Sequence, residues 1–224
     1  MVNREGSQLR SRQSGVLMPQ AAYREHGAET ERSPNSEDIG AMNAIAATRH
    51  WLEQAVIGLN LCPFARSVHI KRQIRWVESP ARDEQDLRED LVRELQYLAA
   101  ADAESVDTTL LIHPHVLNDF LDYNDFLDVA DAAIEALGLT GVLQVASFHP
   151  DYRFEGTAPD DVANFSNRSP YPMLHLLRED SIARAVAAFP DAASIYERNV
   201  ETLRRLGGLG WQELMSNAED TGSG

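Results

Sequence analysis

The sequence predicts an α/β protein: a single α/β domain over residues 41–215, built on a small, mostly parallel sheet of at least three strands with flanking helices and a C-terminal helical segment. Stretches with apolar residues at helical spacing alternate with apolar runs too short for helices. That alternation calls for parallel neighbours joined by right-handed crossovers, with a small antiparallel α+β sheet as the rival arrangement. The two ends, 1–40 and 216–224, are rich in Ser, Gly, Glu and Arg without apolar periodicity, and read as disordered tails. Met42, just ahead of the first helical pattern, is a candidate translational start.

In chain order, Ile45, Trp51, Leu52, Val56 and Leu59 mark an amphipathic helix that stops before Pro63. In "HIKRQIRWVE" Ile70, Ile74 and Trp76 alternate, as in a half-exposed strand near a sheet edge. Ser79 and Pro80, with Asp83 and Glu84 in the first turn, start a helix that carries Leu87, Leu91, Leu95 and Leu98 inward. "TTLLIH" is a buried strand. A helix from Val116 to Leu137, ended by Gly138, turns Leu117, Phe120, Leu121, Leu127 and Ile134 to the core. "VLQVASF" reads as a central strand. Helices follow over Met173–Arg178 and Ser181–Phe189, and a last one is opened by the capping box Ser194/Glu197 and closed by Gly207 and Gly208.

The 224 residues are 43% hydrophobic and 25% charged, with a formal net charge of -15. Such a balance predicts a soluble, cytoplasmic protein and disfavours the phosphate backbone of nucleic acid, where binding depends on cations displacing counterions. No apolar run is long enough for a membrane span, and the N-terminus has arginines with no signal-peptide core behind them. Cys62, the single cysteine, fits a reducing compartment. P-loop, GxGxxG and GxSxG motifs are absent, so no cofactor is named.

Parallel strands put their carboxyl ends on one side, where ligands bind. His113 and His115 would leave the second strand there, and His149 and Asp151 the third. The chemistry concentrates in "SFHPDYRFEG" and "NRSPYPMLHLL". A small anionic metabolite is the expected partner. His149 is assigned as general acid or base with Asp151 orienting it, and His175 stands beside them as a third catalytic candidate. Arg168 and Arg178 would hold the anion, and Asn164, Asn167, Ser169 and Tyr152 would position substrate. His175 and Arg178, three apart on the expected helix, would share a face. The rival reading makes this segment a structural clasp, its Asn and Ser capping the helix and Arg168 paired with a carboxylate. Cys62 is the alternative nucleophile, although its place near a helix C-terminus opposes a thiolate. His113, His115 and His149 are too weak a pattern for a metal assignment. "DEQDLREDLVRE" reads as a solvated helix face with i,i+4 pairs. Enzyme and non-catalytic ligand-sensing or interaction protein stay open, as does the oligomeric state.

"GLNLCPFA", "ASFHPDYRFEG", "DDVANFSNRSPYPMLHLLRE" and "IYERNVETLRRLGGLGW" together resemble the bacterial family known as domain of unknown function 1415, over about residues 42–212. The resemblance supplies no reaction and no cofactor. It implies that Cys62, Pro63, Phe64, His149, Pro150, Asp151, Tyr152, Asn164, Asn167, Arg168, Ser169, Pro170, Tyr171, Pro172, His175 and Arg178 lie in shared motifs. His113 and His115 fall outside them.

Overall fold

The structure is a computed structural model that describes residues 43–188 and 194–216. The predicted tails and the candidate start at Met42 lie outside the described residues, except that Ser216 is the last residue of a helix. Four strands, β1 (Ile74–Glu78), β2 (Thr108–Ile112), β3 (Leu143–Phe148) and β4 (Met173–Arg178), form one sheet in the order β1-β2-β4-β3. The helices are α1 (Ala44–Trp51), α2 (Ala65–Ile70), α3 (Glu84–Ala100), α4 (Phe120–Ala136), α5 (Glu179–Ala188) and α6 (Ile195–Ser216). None of these is long and apolar enough to cross a membrane.

The sheet is mixed rather than mostly parallel. β1 and β2 are parallel, but β4 runs antiparallel to both β2 and β3 and separates them. The overturned expectation is local: Met173–Arg178 is this fourth strand, not a helix. A six-residue apolar run does not distinguish a buried helix from a buried strand by period. Pro170 and Pro172 hold the approach extended, and two neighbouring strands supply β4 with ladders on both edges. His175 and Arg178, three apart on a strand, therefore face opposite sides of the sheet. β1, β2 and β3 still point the same way, so their carboxyl ends and the start of β4 share one rim.

Strand alternation sorts the core into two layers. On one face Leu111, Leu143, Leu174 and Leu176 pack against Leu87, Leu91, Leu95 and Leu98 of α3 and Tyr123, Phe126 and Ala130 of α4. On the other, Leu110, Ile112 and Met173 meet Trp51, Leu52 and Val56, with Trp211 and Leu214 of α6 against them. The first helix continues past α1 as a π-helical turn, Leu52–Ile57.

Several boundaries differ from the expectation for local reasons. β1 starts at Ile74; Ile70 ends α2 and is 69% exposed. Helix α3 is capped by Asp83, which accepts from the Asp86 amide at 2.9 Å, while the Ser79 hydroxyl is taken by Asp90. Helix α4 waits for Asp119, whose carboxylate accepts from the Leu121 and Asp122 amides. Leu117 lies before it at φ 56, and Leu121 is 51% exposed, its expected inward place taken by Tyr123. Gly207, at φ 68 and ψ 173, is non-helical and breaks α6 into two helical stretches, so the stop read at this glycine holds for the first of them.

Arg178 closes the far end of the sheet from the rim. Its guanidinium donates to Leu98 O at 2.6 Å and Ala101 O at 2.7 Å, carbonyls that the end of α3 leaves without intrahelical partners. Arg178→Met should lower unfolding stability by about 2–3 kcal/mol, the scale of charged hydrogen bonds left unmade. Urea midpoints equal to wild type would remove this capping role.

Candidate functional site

The rim is organised on Tyr123, a fully buried residue of α4. Its hydroxyl donates to Met173 O at 2.8 Å and accepts from the Phe148 amide at 2.9 Å, joining the last residue of β3 to the first of β4. Burial pushes the phenol pKa well up, so it stays protonated. His113 stacks on the ring at 5.9 Å and His149 lies against it at 5.1 Å.

Both histidines are sealed from solvent and both are held by backbone. His149 accepts from the Asp151 amide through Nδ1 at 3.0 Å, which leaves Nε2 as the protonated nitrogen, donating to Leu117 O at 3.2 Å. That bond fixes the carbonyl of a residue in left-handed backbone, a conformation a leucine adopts only under constraint. His113 donates from Nδ1 to Val116 O at 3.0 Å, and its Nε2 has no partner among the described residues. Burial lowers the pKa of His113 to about 4, with the neighbouring His149 adding to the shift. Burial also lowers that of His149, against the pull of Asp151 and Asp119.

Between the rim residues of β3 and β4 the chain runs without strand from 149 to 172, with a single 3-10 turn at Val162–Asn167. Irregular backbone in a compact fold needs partners for its amides and carbonyls. The polar side chains of the motif provide them. Asn164, fully buried, accepts from the Phe154 amide and the Thr157 hydroxyl and donates to Ala158 O. Asn167 donates from its side chain to Ser147 O and accepts at its carbonyl from the His149 amide, lying beside β3 as a further strand would. Ser169 donates to Tyr171 O at 2.6 Å. Arg168 reaches Tyr152 O and Pro159 O and lies 4.9 Å over the Phe165 ring. Its pKa is lowered, first by burial and also by the positive charge of Arg153, against Asp151 and Asp160. Tyr152 is buried edge-on between Phe120 and Phe154.

The structure thus brings His149, Asp151, Tyr152, Asn164, Asn167, Arg168 and Ser169 into one loop system, with His113 beside it. His115 is exposed in the turn after β2. Other assigned residues stand apart. His175, mid-strand in β4, donates to the Thr108 hydroxyl and faces Phe148, and burial lowers its pKa to about 4. Arg178 caps α3 at the opposite end. Cys62, ahead of α2, is partly buried, and burial raises its thiol pKa against the Phe64 and Ala65 amides. Among the described residues, no group of three or more His, Cys, Asp or Glu has metal-site geometry.

Sequence reasoning missed two residues. Tyr123 looked like any core aromatic at helical spacing. Arg153 lay unremarked inside "SFHPDYRFEG", yet its Nε is buried without a partner among the described residues. Only the arginine-on-rim pattern, shared with Arg168, would have flagged it.

The chain belongs to the family described as Protein of unknown function (DUF1415), whose model matches residues 43–213. No curated protein and no solved structure matches it.

The buried histidines make acid a stress. With folded pKa values of about 4 for His113 and His175 against 6.5 when solvated, the unfolded chain binds more protons between those limits. Stability is therefore complete above pH 6.5 and falls as pH drops toward 4, by on the order of 2–3 kcal/mol for each such histidine. His113→Asn, which keeps a donor for Val116 O, should flatten this slope in urea titrations at pH 7.5 and 4.5. An unchanged slope would mean that His113 is not held neutral.

Proposed function

We propose that this family member binds a small anionic metabolite at the rim, with Arg153 as the ligand-facing guanidinium and Arg168 beside it as the positioning one. The reading is carried by the buried, unpartnered Nε of Arg153. A donor of a permanent cation without an acceptor costs about 1–3 kcal/mol, and a carboxylate or phosphate oxygen removes that cost through paired hydrogen bonds. Arg168 spends Nε and one Nη on Tyr152 O and Pro159 O, so it ties the loop and lends charge. Asp151 and Asp160 act on the same guanidinium, which favours a ligand with hydroxyl or ammonium donors beside its anionic group.

Binding is the better-supported role. General acid–base chemistry needs a histidine nitrogen within reach of a ligand, and His149 has both nitrogens on backbone. His149, Asp151 and His175 are accordingly not asked to move protons. Asn164, Asn167 and Ser169 shape the loop and meet no ligand directly, and Tyr152 buttresses it from beneath.

Calorimetry and thermal shift with inorganic phosphate, succinate and citrate provide the test. Wild type should bind at least one of these. Arg153→Met should weaken binding at least tenfold, about 1.4 kcal/mol, with its own melting temperature unchanged or raised. Arg168→Lys should weaken binding and also lower stability, because lysine reproduces neither carbonyl bond. If the wild type binds none of the three anions, or Arg153→Met binds as well as wild type, this assignment is wrong.

A further inference from the structure

We propose that His149 is an acid-operated latch: the neutral ring holds the rim loop shut, and a proton on Nδ1 releases the turn at 149–152 while the sheet and helices stay folded. The latch rests on the hydrogen bonds of one ring and holds whether or not the rim takes an anion.

A neutral imidazole has one donor and one acceptor, and an imidazolium has two donors. Both nitrogens of His149 are committed to backbone groups of opposite kind. Nε2 donates to Leu117 O at 3.2 Å, and Nδ1 accepts from the Asp151 amide at 3.0 Å. Only the neutral Nε2–H form satisfies both. A second proton sets Nδ1–H against the amide N–H, two donors with no acceptor between them. Turning the ring over brings no relief, because it puts a carbon where Nε2 met Leu117 O. The Leu117 bond itself survives, since a charged ring donates more strongly than a neutral one. The Asp151 side is therefore the one that gives. The turn released there also carries the bond from the Tyr152 amide to His149 O, and Tyr152 O accepts from Arg168.

The surroundings make two states. The titratable groups around the ring are Asp151 and Tyr152 on its own loop, Asp119 and Tyr123 on α4, and His113 at the end of β2. Both carboxylates favour the charged ring, a protonated His113 would oppose it, and burial opposes it most. Opening the turn lets water to the ring and keeps Asp151, already exposed, beside it as counter-ion. The open form therefore takes its proton near the ordinary value of 6.5 and the closed form below it. The closed turn is complete above about pH 6.5 and gives way as pH falls. His113 is not a second latch. Its Nδ1 donates to Val116 O and its Nε2 has no partner among the described residues, so a proton there sets no N–H against another.

The test follows histidine ring nitrogen shifts and amide hydrogen exchange on the full chain, without added ligand, from pH 7.5 to 4.5, with exchange corrected for its intrinsic pH dependence. At pH 7.5 His149 should be the Nε2–H tautomer, with the Asp151 and Tyr152 amides protected. On acidification their protection should fall at least tenfold, with the midpoint of the His149 ring, while Leu91 and Leu95 of α3 and Leu111 of β2 keep theirs. His149→Gln retains a donor for Leu117 O and does not titrate, so its turn should show no acid transition. Should that variant fail to fold, the wild-type midpoints decide alone. A turn still shut at pH 4.5, a turn that opens while the ring stays neutral, opening only together with α3 and β2, or an acid transition kept by a folded His149→Gln would each overturn the latch.

Discussion

The rim depends on one buried hydroxyl. Tyr123 O–H bridges Met173 O and the Phe148 amide where β3 and β4 end and begin. For a fully buried residue, a phenol that satisfies two backbone groups is hard to replace, because each group left unpaired costs about 1–3 kcal/mol. The same ring is the platform for His113 and His149, which in turn fix the loops after β2 and β3. One residue on α4 therefore sets the positions of three chain segments that the sheet alone would leave loose. Its neutrality matters as much as its shape: burial keeps phenol and imidazoles uncharged, and uncharged rings stack without repulsion.

That constraint explains the concentration of polar residues between 147 and 178. A loop of this length with one short turn of helix is uncommon in a compact fold and demands many non-repetitive hydrogen bonds. Asn164, Asn167, Ser169 and Arg168 meet the demand locally, mostly through backbone carbonyls and amides. Under the proposed function, a ligand-binding loop and a structural clasp are compatible. The clasp gives the loop a fixed shape, and a fixed shape is what permits a side chain such as Arg153 to be held partly buried with its Nε unpartnered among the described residues.

Much of this was legible in the sequence, and the failures have physical causes. The leucine stripe of α3 and the apolar run of β2 carry their periods plainly, since each faces a fully buried layer. The apolar run of β3 reads as a central strand, yet β3 lies at the edge of the sheet and is partly buried over most of its length, because β4 inserts beside β2 in its place. Family membership was legible from long motifs. The strand at Met173–Arg178 was not: its identity is set by pairing on both edges with strands 60 or so residues upstream and 30 upstream, information that no local window contains. Misreading it moved His175 and Arg178 onto one face, whereas strand geometry sends them to opposite sides. The rim survived the error because β4 is inserted between strands that still run the same way. The site residues were found as a neighbourhood, yet their individual roles depended on which hydrogen bonds the backbone claimed first, and residue type alone does not encode that.

Four buried polar atoms remain unpartnered among the described residues: Trp51 Nε1, Thr109 Oγ1, His113 Nε2 and Arg153 Nε. They are not equivalent. Trp51 and Thr109 belong to elements packed within the two core layers, where an unmade bond is a cost that surrounding apolar burial offsets. His113 is fully enclosed against the Tyr123 ring, and its lone pair is a weak acceptor that a neutral imidazole carries at modest cost. Arg153 differs in charge and in place. A guanidinium does not shed its proton to escape burial, as a histidine does, and this one sits in a loop at the carboxyl ends of the strands with part of its side chain open to solvent. Of the four, it is the one whose deficit the proposed anionic ligand would relieve.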